Sequence, residues 1–429
     1  MRSLQLWVLP GRGLGTLPSV REQLRDFLRE HPDTVVDVKV RTPGTLWSQL
    51  FALLKRSPSE ALRPHVVEIP SHWTSTLAAL GLLEDLTDLE PGLDLGVWAS
   101  PSREHARAKA MPAGAEPARR REDAPPPEPA SGAEREEGRP AIHSLPWWME
   151  TPVLYYRPDL LKRAGVEPER LETWSSLREA CRQLGRRLPS GAHPIANGNP
   201  RDSVSLADLA PSVWSRGGDF FSRDGSRALF QREEAYRGIW GYLELIERGW
   251  MPLLGKSGLV TRSLFDGGAA LQFSGRIPAR QRRGGVPVRA TPTPRGEEAR
   301  AGVLVAHHLA ILRGSGHSRE ALGLLLHLTR PSNGARYAAA LGALPCGPAE
   351  LEAALSAAGD VGPALRVALG CARTLPNFPA LGTLERILDR CMENLLRAIL
   401  RRTFDQELLR QELIYAAAEM DYVLSMAPA

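Results

Sequence analysis

A chain of 429 residues is too long for one ordinary core and points to two or three domains. Its composition, 43% hydrophobic and 24% charged, excludes a wholly disordered chain, a collagen-like repeat and a disulfide-rich miniprotein. The net charge of +5 comes from arginines scattered among acids rather than gathered in one stripe, which argues against a nucleic-acid reader, and no apolar run reaches the ~18 residues a membrane helix requires.

Residues 4–9 read as a strand, 18–30 as an amphipathic helix, 34–40 as an alternating strand and 46–55 as a helix. Residues 65–69 form a short apolar strand, and 74–80 a helix stopped by Gly81. Strand–helix alternation predicts an α/β fold with mostly parallel sheets flanked by helices. Between 100 and 141 the chain turns to Ala, Pro, Glu, Arg and Gly with almost no large apolar residue. Such a stretch cannot bury enough surface to offset its ordering entropy, so a disordered insertion is expected. Order resumes at Leu145, with strands predicted at 153–156, 269–273 and 302–312. Helices are predicted at 158–164, 175–188, 206–216 and 233–248. The end of the chain is helical: 318–329, 331–341, 348–358, 383–402 and 405–426.

The start, Met1-Arg2-Ser3, leads straight into the first strand without the charged, apolar and small-residue regions of an export signal, so none is expected. Cys181, Cys346, Cys371 and Cys391 form no CxxC or zinc spacing; a Cys346–Cys371 bridge stays an open alternative, and so does the redox compartment. Gly11-Arg12-Gly13-Leu14-Gly15 follows the first strand, where a dinucleotide fold places its phosphate loop. The spacing is GxGxG, and Asp37 lies inside the second strand rather than at its end, so a plain tight turn before a helix N-terminus is the better reading. His307 and His308 are adjacent on a strand and point to opposite faces, so they cannot jointly grip a metal. No nucleophile stands in a recognisable catalytic context, no cofactor is called for, and no enzyme is expected. Trp73 at the start of a helix, Trp147 and Trp148 before the 153–156 strand, and Trp214 before Gly217-Gly218 are placed on loops at strand ends, where aromatics line clefts as well as cores.

Several segments, in order, resemble the extracellular solute-binding proteins of ABC importers, in particular the carbohydrate-binding group that includes maltose-binding protein. His65-Val66-Val67-Glu68-Ile69-Pro70-Ser71-His72-Trp73, running to Gly81-Leu82-Leu83-Glu84-Asp85-Leu86, is similar to that family's strand, cleft helix and exit. The most specific stretch is Leu145 to Leu160, with Glu150-Thr151-Pro152-Val153-Leu154-Tyr155-Tyr156 at its centre. Thr173-Trp174, Leu264 to Leu271 with Gly275, Leu341 to Pro345, and Leu375-Pro376-Asn377-Phe378-Pro379 are similar to further family segments.

The resemblance implies a two-lobed periplasmic-binding-protein-like fold of type II with a helical C-terminus. It divides the chain into a first lobe at 1–99, the insertion at 100–141, a second lobe at 142–270, a return to the first lobe at 271–313, and a C-terminal part at 314–429 mainly in the second lobe. It implies a non-enzymatic, monomeric protein that captures a sugar, oligosaccharide or sugar phosphate for ABC permease subunits, at a periplasmic or cell-surface location. The ligand-binding residues it suggests are His72, Trp73, Trp147, Trp148, Glu150, Trp214, Gly275 and Arg276. The family commonly places stacking tryptophans after Gly275 and near Glu385; this sequence has Arg276, Ile277 and Pro278 at the first place and none at the second. Those departures, with the absent export signal, sustain an alternative: a cytoplasmic protein-interaction or sensory module on the same fold.

Overall fold

The computed structural model describes residues 2–11, 16–55, 63–108, 141–197, 203–253, 264, 267–277 and 287–426. The strands, in chain order, are β1 Arg2–Val8, β2 Thr34–Val40, β3 Val66–Pro70, β4 Arg107–Ala108, β5 Ala141–Ile142, β6 Leu145–Glu150, β7 Val153–Tyr156, β8 His193–Ile195, β9 Ala269–Ser274, β10 Arg289–Pro292, β11 Gly302–Ile311, β12 Leu344–Pro345 and β13 Ala372–Thr374. Seven of them form one sheet in the order β12-β6-β11-β3-β1-β2, with β13 also on β11; four form a second, β10-β7-β9-β8. Each sheet anchors one lobe.

The first sheet begins as the sequence predicts. β1 runs parallel to β2 and β3, because each connection carries a helix that must cross back over the sheet. The helix Thr16–Glu30 buries Val20, Leu24 and Phe27, three residues at helical spacing, with Leu4, Leu6 and Val8 of β1 in the same core. Side chains from the alternate positions, Trp7 and Leu9, join Trp47, Val67, Ile69, Trp73 and Leu77 in a separate cluster. Gly81 ends the helix Thr74–Ala79 with a φ of +68°, a left-handed turn that favours glycine. β6 and β11 enter antiparallel, and the ladder between them slips at His307/His308.

The second core gathers Leu154, Leu160, Leu161, Trp174, Leu177, Trp214, Phe220 and Ile239 around the four-stranded sheet. The helix Leu381–Arg401 contributes Leu381, Leu384, Leu388 and Leu395 to that core, and Gln406–Met426 adds Leu409, Leu413 and Met420. Ser318–Thr329, Pro331–Leu341 and Gly362–Gly370 pack into the first-lobe core instead, so the C-terminal part expected mainly in the second lobe is shared between the two. The return to the first lobe likewise falls later than residue 271: β9 is held by β7 and β8, β10 pairs with β7, and the chain crosses back with β11.

The ends of the expected disordered insertion are ordered. Ser100–Arg103 is a helical turn, and β4 pairs antiparallel with β5. Ala99 N–H donates to the Cys346 carbonyl at 2.7 Å, which pins this stretch to the first lobe. Residues 109–140 lie outside the described residues, as do Arg12, Gly13, Leu14 and Gly15 of the glycine-rich turn. All four cysteines are free thiols, so the 346–371 bridge is not formed. Among the described residues no helix is long and apolar enough to cross a membrane.

Candidate functional site

The turn Ser71–Trp73 at the carboxyl end of β3 meets the second lobe, and strand carboxyl ends are where ligands gather in open α/β sheets. Glu68 interrupts the apolar run of β3 and is fully buried. Its Oε2 accepts the Leu9 N–H at 2.8 Å and its Oε1 accepts the Trp148 indole N–H at 3.1 Å. His307 Nδ1 lies 3.1 Å from the same Oε1, and its ring stacks on Trp148 with centroids 3.5 Å apart. The distance would suit an ion pair, but burial argues otherwise. It pushes Glu68 up to about 8 against the Leu9, Trp148 and Arg276 influences that oppose it, and drives His307 down to about 3. Both shifts favour the uncharged forms of the pair.

Arg276 comes onto this nest from the end of β9. Its guanidinium carbon lies 4.1 Å from the centre of the Trp148 ring, and its Nε is 2.7 Å from Glu150 Oε2. A Cβ on Gly275 would meet Glu150 Cβ at 2.8 Å, so only glycine lets the strand end approach this closely. The Ile277 N–H then donates to the Gly342 carbonyl at 2.6 Å, tying the crossing segment to the first lobe.

A second set of contacts joins the lobes at the start of Leu381–Arg401. Glu385 Oε1 is 3.0 Å from His72 Nε2, and Oε2 accepts the Trp73 indole N–H at 2.9 Å. Beside it, Gly382 N–H donates to Thr76 Oγ1 at 3.3 Å, and Ser75 N–H donates to Asn377 Oδ1 at 3.3 Å. A Cβ on Gly382 would run into the Trp47 ring, which packs edge-on to Trp73. Further along the seam Arg373 of β13 reaches Asp219 at 2.6 Å and lies over the Trp214 ring.

Of the residues singled out in the sequence, the structure brings His72 and Trp73 to the seam and sets Trp148, Glu150, Gly275 and Arg276 together where β6 and β9 end. It places Trp147 elsewhere: stacked flat on Tyr337 at 4.0 Å within the first-lobe core. Trp214 is buried in the second-lobe core, with its indole N–H donated to Asp219 at 2.9 Å. Both Trp147 and Trp148 lie inside β6 rather than on a loop, since their strand is the central partner of β11 and β12. His307 and His308 do serve different partners: His308 Nδ1 takes the Ser144 hydroxyl at 2.8 Å and its Nε2 donates to the Ser102 carbonyl at 2.7 Å. Sequence reasoning missed Glu68 and Glu385 as site residues. A lone carboxylate inside the apolar run Val66–Pro70 was the available signal for the first. Nothing local marks the second. Among the described residues no cluster suited to a metal ion occurs.

Two α/β lobes meeting along a seam of polar side chains define the two-lobed periplasmic binding protein fold. The chain belongs to the bacterial extracellular solute-binding protein family, which matches residues 16–335. Solved structures of the same shape include the GacH receptor of Streptomyces glaucescens, determined unliganded and with acarbose, at 14% identity and a TM-score of 0.75 over 100% of both chains. An ABC substrate-binding protein of Listeria monocytogenes in complex with cycloalternan is 13% identical, with a TM-score of 0.77 over 99% of this chain and 100% of that one. The maltose-bound MalE3 of T. maritima is 20% identical, with a TM-score of 0.72 over 98% of this chain and 100% of that one. No curated protein matches the sequence.

Proposed function

We propose that this chain is a non-enzymatic binding protein that captures a sugar-like solute between its two lobes and presents it to an ABC permease outside the cytoplasmic membrane. The observation that carries the reading is the seam itself: hydrogen-bonding side chains of one lobe, His72 and Trp73, converge on a carboxylate of the other, Glu385. Hydroxyl-rich solutes are recognised by such groups. Family membership supports solute binding, and the acarbose, cycloalternan and maltose complexes of similarly folded proteins support a carbohydrate. Arg276 is already neutralised by Glu150, which favours an uncharged, hydroxyl-rich solute over a sugar phosphate.

The test is a thermal-shift panel of mono- and oligosaccharides, polyols and sugar phosphates. A solute at about 100 times its dissociation constant adds about 2.7 kcal/mol to stability. Glu150→Ala is expected to weaken a hit by about 1–3 kcal/mol, through loss of charge-assisted hydrogen bonds and release of Arg276. A flat panel would sink the reading and leave a cleft that docks a protein.

A further inference from the structure

The contact between Glu385 and the first lobe is made entirely by the protein's own side chains. Both oxygens of one carboxylate are engaged, one by His72 Nε2 at 3.0 Å and the other by the Trp73 indole N–H at 2.9 Å. His72 and Trp73 sit on the 3₁₀ turn Ser71–Trp73 that follows β3, in the first lobe. Glu385 sits in the first turns of Leu381–Arg401, a helix whose apolar face belongs to the second-lobe core. The two ends of the contact therefore separate whenever the lobes do.

The surroundings are shaped for this contact. Gly382, one turn before Glu385, has no Cβ, and that vacancy is where the Trp47 ring lies; Trp47 in turn packs edge-on to Trp73 at 4.6 Å. Backbone hydrogen bonds from Gly382 to Thr76 and from Ser75 to Asn377 cross the same boundary. The side chains of His72 and Glu385 retain only 9% and 20% exposure, so the contact is largely shielded from water.

We propose that Glu385 is a built-in latch: a carboxylate of the second lobe that accepts the Trp73 indole N–H and lies against His72 of the first, holds the lobes together before solute arrives, and must let go for solute to enter. The latch acts as an internal competitor. It lowers apparent affinity by the fraction of molecules it keeps shut, because only the open fraction can be filled. The proposal goes beyond the carbohydrate reading, since a latch would close this cleft whatever its solute.

The experiment is small-angle X-ray scattering of the full chain without solute, with the wild type compared with Glu385→Ala. Charge-assisted hydrogen bonds of this kind shift a two-state population by roughly ten- to a hundredfold. The wild type is expected to scatter as the compact form and the variant to show a larger radius of gyration, with the circular-dichroism spectrum unchanged. Trp73→Phe removes one donor from the opposite side without touching Leu381–Arg401. It is expected to expand the molecule in the same direction by less, and it decides the matter if Glu385→Ala does not fold. Equal compactness of wild type and folded variants overturns the latch, because something else then holds the lobes. A wild type that is already expanded overturns it too. A purely structural role for Glu385 would lower the melting temperature and leave the radius of gyration unmoved.

Discussion

Two carboxylates in this protein are dressed almost identically and do different work. Glu68 takes an indole N–H from Trp148 at 3.1 Å and faces His307 at 3.1 Å; Glu385 takes an indole N–H from Trp73 at 2.9 Å and faces His72 at 3.0 Å. Glu68 and both partners lie on three strands of one sheet, and its side chain is 0% exposed. Glu385 meets its partners across two lobes and keeps 20% exposure. The first trio is assembled once, when the lobe folds, and burial strips it of charge. The second can be made and broken in the folded protein, so the same chemistry becomes a contact that depends on conformation.

Acid should divide the two regions most strongly. His105, His307 and His308 of the first lobe are each driven down to about 3 by burial, from an ordinary value of 6.5. Their folded forms stay neutral while an unfolded chain would protonate them. Stability from these histidines is therefore complete above pH 6.5 and is lost as pH falls toward 3, at about 1.4 kcal/mol per unit for each. Glu68 works the other way: raised from 4.5 to about 8, it keeps a proton that the unfolded chain has released, so its contribution declines between pH 4.5 and 8. In the second lobe Asp389, raised to about 6 by burial and by neighbouring Glu385, declines between 3.8 and 6. Calorimetry across pH is expected to show melting temperature rising steeply to about pH 6.5 and then falling gently toward 8. A melting temperature that stays flat from pH 6.5 to 8 would mean that Glu68 is already ionised in the folded protein.

Replacing the two carboxylates by alanine is the next sharper cut. Glu68→Ala leaves the Leu9 N–H and the Trp148 indole N–H without acceptors in a dry interior, at a cost of about 3–5 kcal/mol in global stability. Glu68→Gln keeps the volume and one acceptor and should cost about 1–2 kcal/mol, while abolishing the decline above pH 6.5. Glu385→Ala, with water at hand for its partners, should cost no more than about 1 kcal/mol in the same denaturant titration. Equal losses for the two alanine variants would erase the distinction drawn between them.

The fold was more legible than the site. The periodicity of Thr16–Glu30 and the alternation of Thr34–Val40 fixed their elements, because each must bury one face against the same core. The strand β8, the pair β4–β5 and the short β12 and β13 escaped notice, since two or three residues carry no period of their own; β8, β12 and β13 are strands because a longer neighbour offers them an edge, and β4 and β5 because they meet each other. At the site, His72, Trp73, Glu150 and Arg276 were visible through a local run of residues. Glu385 was not, because its partners are more than 300 positions away and its role arises only when the lobes meet. The adjacent tryptophans split for a related reason. On a strand they face opposite ways, so Trp148 reaches Glu68 while Trp147 lies on Tyr337, and a sequence alone does not say which partner each face will meet.

The mildest test separates the latch from the rest of the seam. Arg373 also bridges the lobes, reaching Asp219 at 2.6 Å, with its guanidinium carbon 4.5 Å from the centre of the Trp214 ring. Its side chain is 53% exposed, so water and salt screen the ion pair. Such pairs contribute about 0–1 kcal/mol, and an exposed cation–π contact about 0.5–1 kcal/mol. Arg373→Ala should therefore lower the melting temperature by a few degrees at most and shift the compact population by about two- to thirtyfold, with the ion-pair share fading in high salt. Glu385, tucked between His72 and Trp73, should keep most of its effect under the same salt. If Arg373→Ala opens the molecule as far as Glu385→Ala does, the seam closes by summed surface charge, and partial burial of a single carboxylate is not what sets it apart.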